Sequence, residues 1–379
     1  MASISRDTRG AAGKAKARRS SRDPLVLGIE TSCDECAVAV VEGRPGAATI
    51  LSNVVWGQAD LHTPYGGVVP EIAARAHSRT IDAVAGEALR VAGVDLAEVT
   101  HVAATAGPGL LGPLLVGATF GKAVASARGL EFVAVSHLEA HVLSPRLSHG
   151  TAWPYAVALL SGGHAQFVAA LGPGTYRRLG GTIDDAAGEA FDKTAKLLGL
   201  AYPGGPEVER AARGGDASRY AFPTPLASRE GCDLSFAGLK TAVRLAAERT
   251  APLSPQDVAD ICASFQDAVA RVLTVKSARA LAAFADLAGP PTALAAVGGV
   301  AANQVLREAL AGVAEAYGTT FVAPPLALCG DNGAMVAYCA IERLAAGLAE
   351  GSATRVRSRW PLDEAAAPLL GAGRRGAKA

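Results

Sequence analysis

One short pattern occurs twice in this chain and limits what the chain can fold into. Leu25 to Ile29 is an unbroken apolar run, Glu30-Thr31-Ser32-Cys33-Asp34-Glu35 is polar, and Cys36 to Val41 is apolar again. Much later Tyr155 to Leu160 is apolar, Ser161-Gly162-Gly163-His164 interrupts it, and Gln166 to Leu171 resumes. Short apolar runs bounded by turn residues read as buried strands, so each copy predicts strand, polar turn, strand. Such a turn presents amides and hydroxyls at a sheet end, where a phosphate can be held. A single copy would be an ordinary hairpin. With two, the second half restarts the plan of the first.

The intervening chain alternates strands and helices, which predicts an α/β protein. Ile50 to Trp56 adds a strand, and a helix runs from about Pro70 to Ala92. Strand Val102 to Thr105, the Gly107-Pro108-Gly109 turn and a helix from Pro113 to about Arg128 follow, with Pro at a helix start where its missing N–H costs nothing. Strand Glu131 to Val135 leads to Ser136, which suits the N-cap of a helix carrying His137 and His141. In the second half, Asp184-Asp185 opens a helix through Lys193, its acids suited to the positive N-terminus. Tyr202 to Pro206 is a sharp turn, residues 214–234 are irregular, and helices cover roughly 236–248 and 255–287. Strand Thr292 to Val297 enters Gly298-Gly299-Val300-Ala301-Ala302-Asn303 and a helix to about Tyr317; strand Thr320 to Ala323 precedes the last helix, which begins at Cys329 to Met335. The expected division is a disordered basic arm at 1–23, a first lobe at 24–152, a second at 153–345 whose last helix packs back towards the first, and a largely disordered tail at 346–379.

At 379 residues the chain is long enough for two domains. Half of it is hydrophobic but only 5% is aromatic, so the core must be built from Ala, Val and Leu. The net charge of +1 is uneven: residues 1–22 carry seven Arg or Lys against Asp7, which leaves the remainder at −5. Charge alone therefore does not nominate the body as a nucleic-acid binder. The six cysteines give one Cys33-x-x-Cys36 pair with no second pair, so reduced thiols in a cytoplasmic protein are expected, with structural zinc or a redox role as the alternative. The first 23 residues lack the apolar core of a secretory signal. Val102 to Gly121 is uncharged and long enough to span a membrane, but Pro108, Pro113 and five glycines break it into strand, turn and buried helix.

His137 and His141 are four apart, so on a helix they lie about 40° apart around the axis and both imidazoles can reach one ion. Glu139 lies about 200° from His137, unlike the carboxylate of a His-Glu-x-x-His peptidase, which disfavours that mechanism. It is either a solvated carboxylate or an orienting group. Asp331 is either the N-cap of the last helix or an oxygen ligand completing the two histidines. Asn303, at a helix start after paired glycines, is placed to bond the polar edge of a ligand.

These segments, together with Tyr202 to Pro206, Ser235-Phe236-Ala237-Gly238-Leu239-Lys240 and Asp331 to Met335, occur in one order that closely resembles the tRNA adenosine threonylcarbamoyltransferase family, called TsaD in bacteria and formerly described as a glycoprotein endopeptidase. The resemblance covers about Leu25 to Arg343; Ala165 and Ala237 stand where it leads one to expect hydroxyl residues. It implies an actin-like ATPase (ASKHA) fold of two related lobes with a nucleotide cleft between them. It implies His137, His141 and Asp331 as ligands of one divalent metal, usually iron, although the donor set also suits zinc and magnesium stays open. Substrate positions carried over are Leu159, Leu160, Ser161, Gly162, Gly163, Asp192, Gly205, Glu209 and Asn303. The implied reaction moves a threonylcarbamoyl group from its adenylate to the exocyclic amine of adenosine 37 in tRNAs reading ANN codons, releasing AMP. That amine is a weak nucleophile, so a base is useful; Asp34 is the first candidate and Glu35 the second, a structural acid being the alternative for both. The implied partners are tRNA, an inactive paralogue (TsaB-like), a small P-loop ATPase (TsaE-like) and an adenylate-forming enzyme (TsaC/Sua-like), with no membrane. An ATP-dependent phosphotransferase of the same fold, a metallopeptidase and a nucleotide-sensing scaffold are the competing readings.

Overall fold

The computed structural model describes residues 23–367; the basic arm at 1–22 and the end of the tail lie outside the described residues. In chain order the elements are β1 (Leu25–Glu30), β2 (Glu35–Arg44), β3 (Ala47–Gly57), α1 (Ala59–His62), α2 (Pro70–Ala92), β4 (His101–Gly107), α3 (Leu111–Arg128), β5 (Glu131–Ser136) and α4 (His137–His149). They continue with β6 (Tyr155–Leu160), β7 (Ala165–Gly172), β8 (Thr175–Gly181), α5 (Ala187–Leu197), α6 (Gly204–Ala212), α7 (Ala237–Thr250), α8 (Pro255–Ala288), β9 (Ala293–Val297), α9 (Gln304–Ala316), β10 (Thr320–Val322) and α10 (Gly333–Ala345).

The chain forms two compact units. The first comprises the chain up to His62, Val68–Gly150 and Asp331–Trp360; the second comprises Thr63–Gly67, Thr151–Gly330 and the chain from Pro361 on. The last helix thus belongs to the first unit. So does the stretch after it: Glu350 bridges Ala134 of β5 and Trp360 enters the core.

The sheet of the first unit runs β3-β2-β1-β4-β5 and that of the second β10-β9-β6-β7-β8, the same plan read from opposite ends. In each, a buried strand pairs antiparallel with the next and parallel with one reached by a helical crossover. The doubled sequence pattern is this repeat, β1-turn-β2 and β6-turn-β7. The strand Thr175–Gly181 was not evident in sequence, because its charged, partly exposed edge lacks an apolar run.

β1 is buried at every residue, since it lies between β2 and β4 with α10 and α3 packed on it, while α2 packs on β2 and β3. Its glycine makes the α10 contact close: a Cβ on Gly28 would lie 2.5 Å from the Ala337 nitrogen and from the Gly333 oxygen, and one on Gly333 would lie 2.5 Å from the Ala39 nitrogen. In the second unit the core gathers Phe167, Phe191, Phe236, Phe265 and Phe284 among small aliphatics. Among the described residues, no helix is long and apolar enough to cross a membrane; Val102 to Gly121 is β4, a turn and the start of α3.

All six cysteines are free thiols, five of them buried. Burial pushes the Cys36 thiol up to about 12, helped by Glu30 and opposed by Thr80, and burial alone takes Cys262 to about 12. Below the ordinary thiol value near 9 the neutral form is kept in both folded and unfolded chains; between pH 9 and 12 only the unfolded chain ionises, so stability contributed by these thiols is lost as pH rises through that window. At pH 8 an alkylating reagent followed by mass should leave Cys36 and Cys262 unmodified in the native chain and label both in denaturant.

Candidate functional site

In the first unit, β5 ends at Ser136 and α4 begins at once with His137. Ser136 occupies the N-cap position, but its hydroxyl makes no cap bond. Both imidazoles are buried and lie edge to face, 4.6 Å between ring centroids. Asp331 meets them from the far end of the chain: its Oδ1 is 3.1 Å from His141 Nε2 and 3.6 Å from His137 Nε2. It is not the helix cap. Asn332 accepts the Met335 N–H in that role, which leaves Asp331 facing the histidines.

The other ring nitrogen of His137 donates to Glu30 Oε2 at 3.0 Å, with Ser32 Oγ 3.2 Å away. Glu30 is fully buried and also accepts from the Ser32 backbone N–H and the Thr105 hydroxyl. Burial acts to raise its carboxyl, but the His137 charge and hydrogen bond bring it below the ordinary value. Burial likewise opposes the imidazolium of His137, yet Asp331 and Glu30 outweigh it and lift the group to about 9. A carboxylate on Nδ1 leaves Nε2 as the outward nitrogen, the arrangement that orients a metal-binding histidine.

The three side chains fit a divalent ion on two counts. Their ligand atoms all lie within 4.8 Å of one another, the only such group of His, Cys, Asp or Glu among the described residues. Metal–ligand lengths of about 2.1 Å place neighbouring donors about 3.0 Å apart in an octahedron and about 3.4 Å apart in a tetrahedron, and the carboxylate–imidazole separations of 3.1 and 3.6 Å lie just above these values.

Glu139 is not a solvated carboxylate. It is buried and pairs with Arg343 of α10 at 2.7 Å, while Arg146 of α4 pairs with Glu342 at 2.8 Å and Tyr338 donates to the same carboxylate at 2.6 Å. Two ion pairs therefore brace α4 against α10, and Glu139 is unavailable as a peptidase base. The turn after β1 places Asp34, buried, and Glu35, half-buried, in sequence after Ser32. Burial, followed by the charges of Asp34, Asp331 and Glu30, pushes the Glu35 carboxyl well above its ordinary value.

The second unit builds its site from backbone. Ser161 N donates to His164 O at 2.7 Å and closes the turn after β6. Gly188 lies directly on it: its N–H donates to Ser161 O at 3.2 Å, and a Cβ there would lie 2.7 Å from the Gly162 Cα. Gly298, at φ +93°, backs the same turn so closely that a Cβ would strike the Leu160 carbonyl. Leu159 and Leu160 are wholly buried and Ser161 is buried too, so Gly162 and Gly163 are the exposed surface of this stretch, beside the N-terminus of α5. That helix starts at Ala187, later than its acids suggested: Asp184 instead accepts from Ser235 Oγ and from the Phe236 and Ala237 N–H groups, capping α7. Asp192 Oδ1 accepts from Gly204 N at 2.8 Å beside Gly205, and Glu209 Oε1 accepts from Gln304 N at 2.9 Å. Asn303 caps α9 and donates to Gln266 at 2.7 Å.

Residues 49–338 match the model of the family TsaD, tRNA N6-adenosine threonylcarbamoyltransferase. A protein of that name from Rhizobium etli (strain CIAT 652) is 56% identical over 361 residues, covering 94% of this chain and 99% of its own length. One from Paracoccus denitrificans (strain Pd 1222) is 57% identical over 357 residues, with 93% and 98% covered. The chain belongs to this family. The fold resembles that of HypF from T. kodakarensis (TM-score 0.57, 17% identity), covering 86% of this chain and about half (48%) of that protein. Two units on one sheet plan are thus the actin-like ATPase fold that the resemblance implied.

Within the threonylcarbamoyltransferase family motifs, sequence reasoning left the supporting residues unassigned. Glu30 and Ser32 stood in the first polar turn, whereas Thr105, Arg343 and Glu342 had no local signal, because their partners lie 75 or more residues away. Removing one partner of a buried ion pair leaves an uncompensated charge, at a cost of about 3–5 kcal/mol. Arg343→Met should therefore lower the melting temperature sharply, and adding Glu139→Leu should recover part of the loss in the same thermal scan.

Proposed function

We propose that this chain transfers the threonylcarbamoyl group from threonylcarbamoyl-AMP to the exocyclic amine of adenosine 37 in tRNAs reading ANN codons, releasing AMP. The observation that carries the reading is the convergence of His137, His141 and Asp331, with Glu30 behind the first imidazole. These three side chains hold one divalent ion, and two imidazoles with one carboxylate favour iron or zinc over magnesium, which prefers all-oxygen sites. When bound, the ion supplies Lewis-acid polarisation and orientation of the threonylcarbamoyl oxygens.

The chain's own groups do the remainder. The amine nitrogen attacks the carbamoyl carbon, the bond from that carbon to the phosphate oxygen breaks, and AMP leaves with the electron pair. The amine gives up a proton. Asp34 is the first candidate for the base and Glu35 the second, because burial and the neighbouring acids raise the Glu35 carboxyl well above its ordinary value and so favour its protonated form. In the second unit, the Ser161-Gly162-Gly163 turn and the α5 N-terminus offer amides and a helix dipole to the phosphate of the adenylate. Asp192 serves the ribose hydroxyls, while Gly205, Glu209 and Asn303 line the nucleoside. The family's partners belong to the same reading: an inactive paralogue, a small P-loop ATPase and a separate adenylate-forming enzyme, all in the cytoplasm.

The test combines purified chain, those partners, threonylcarbamoyl-AMP and unmodified tRNA, with the modified nucleoside read by mass. His137→Ala and Asp331→Asn should abolish product, and Asp34→Asn should slow it by about 10²-fold or more. Full product from His137→Ala would overturn the reading. Glu30→Gln, which keeps the shape of the buried side chain, should weaken ferrous or zinc ion affinity in a direct titration by about 10–100-fold.

A further inference from the structure

The second unit contains a cavity of about 360 Å³ walled by Lys193, Lys196 and Leu197 of α5 and by Lys240, Thr241 and Arg244 of α7. Four of these six residues are cations and none is an acid. Spacings of three on α5 and four on α7 put each helix's cations on one face. We propose that this cavity is a docking point for the phosphodiester backbone of tRNA. The proposal rests on the function given above and deepens it by assigning a surface to the nucleic acid.

Several features favour a polyanion. Asp185, just before α5, accepts from Lys193 at 2.9 Å and Lys240 at 3.3 Å, so a single carboxylate ties the two helices and holds the two lysines together in the cavity wall. Glu189 takes a second bond from Lys193 at 2.8 Å, and Glu248 pairs with Arg244 at 2.7 Å. The cations still outnumber these acids, and Lys193, Lys240 and Arg244 keep 37%, 37% and 50% of their side-chain surface open to solvent. Lys196 is exposed and makes no ion pair among the described residues. Outside residues 1–22 the chain is net negative, so a cluster of cations stands out as a local attractor for anions. No aromatic side chain lines the cavity, so it has no platform for stacking bases. Contacts of this kind fix register on the phosphates and read no sequence.

The full chain is tested with fluorescent unmodified tRNA across a series of salt concentrations, comparing wild type with Lys196→Glu/Arg244→Glu, whose side chains are exposed enough for the fold to survive; a thermal scan checks this. The double variant should bind at least about tenfold more weakly near 0.1 M salt, and its dependence of log affinity on log salt should be shallower by about two. Lys196→Arg/Arg244→Lys should restore both. Equal affinity and slope for the charge-reversed variant and wild type would overturn the proposal while leaving the function intact, whereas wild type that binds no tRNA either alone or with the partners named above would remove the function as well. A parallel pyrophosphate titration separates the sources of phosphate: loss of pyrophosphate binding with tRNA binding unchanged would mark a small-anion pocket and overturn the proposal.

Discussion

The first unit depends on how closely α10 approaches its sheet. Helices ordinarily stand off a sheet by the depth of their side chains, but Gly28 and Gly333 remove that spacing, so backbone meets backbone at β1 and β2. This fixes where α10 begins, and hence where Asp331, two residues earlier, must sit. The histidines are positioned by a separate constraint: α4 starts at the residue after β5, so its first turn is held at the end of the sheet. Residues 190 positions apart then meet because each is anchored to the same five strands.

Two helix starts held by a sheet could still rotate about their own axes. The pairs Glu139–Arg343 and Arg146–Glu342 limit that rotation, since both are largely buried and their carboxylates and guanidinium groups come from opposite helices. A buried pair adds little net stability relative to an apolar contact, but breaking it is costly. It therefore serves better to choose one arrangement than to strengthen it. Glu30 applies the same logic one step closer in: a carboxylate with no solvent persists because an amide, a hydroxyl and an imidazole all donate to it, and these donors fix which nitrogen of His137 faces outward.

What sequence disclosed follows from range. The paired strands around each polar turn are contiguous and each carries an unbroken apolar run, so the doubled plan was visible, and the four-residue spacing of the histidines needs only helix geometry. Contacts across the chain were not visible. Asp331 and Asn332 are neighbours of similar capping propensity, and only the structure shows that Asn332 caps while Asp331 turns to the imidazoles. Asp184 looked like the opening of its own helix because its partner, the N-terminus of α7, begins 52 residues later. Glu139 could be excluded from one role by angle, but its partner lay 204 positions away. The pairing of the two histidines was legible because one helix carries both, and the residues that support them were not.

The repeated plan has been put to different uses. Between its third and fourth strands the first unit inserts α1 and α2, and its chemistry is carried by side chains at the strand ends. At the same point the second unit inserts α5 to α8, and its turn is left almost bare, with open space around Gly162 and Gly163 while Gly188 and Gly298 bring main chain against the turn from behind. A backbone cradle suits phosphate, whose charge is spread over equivalent oxygens and needs donors more than identity. A metal centre needs particular donor atoms at particular separations, which only side chains supply. One topology can serve both because the sheet only sets where each polar turn emerges, and the residue types in that turn decide what is bound there.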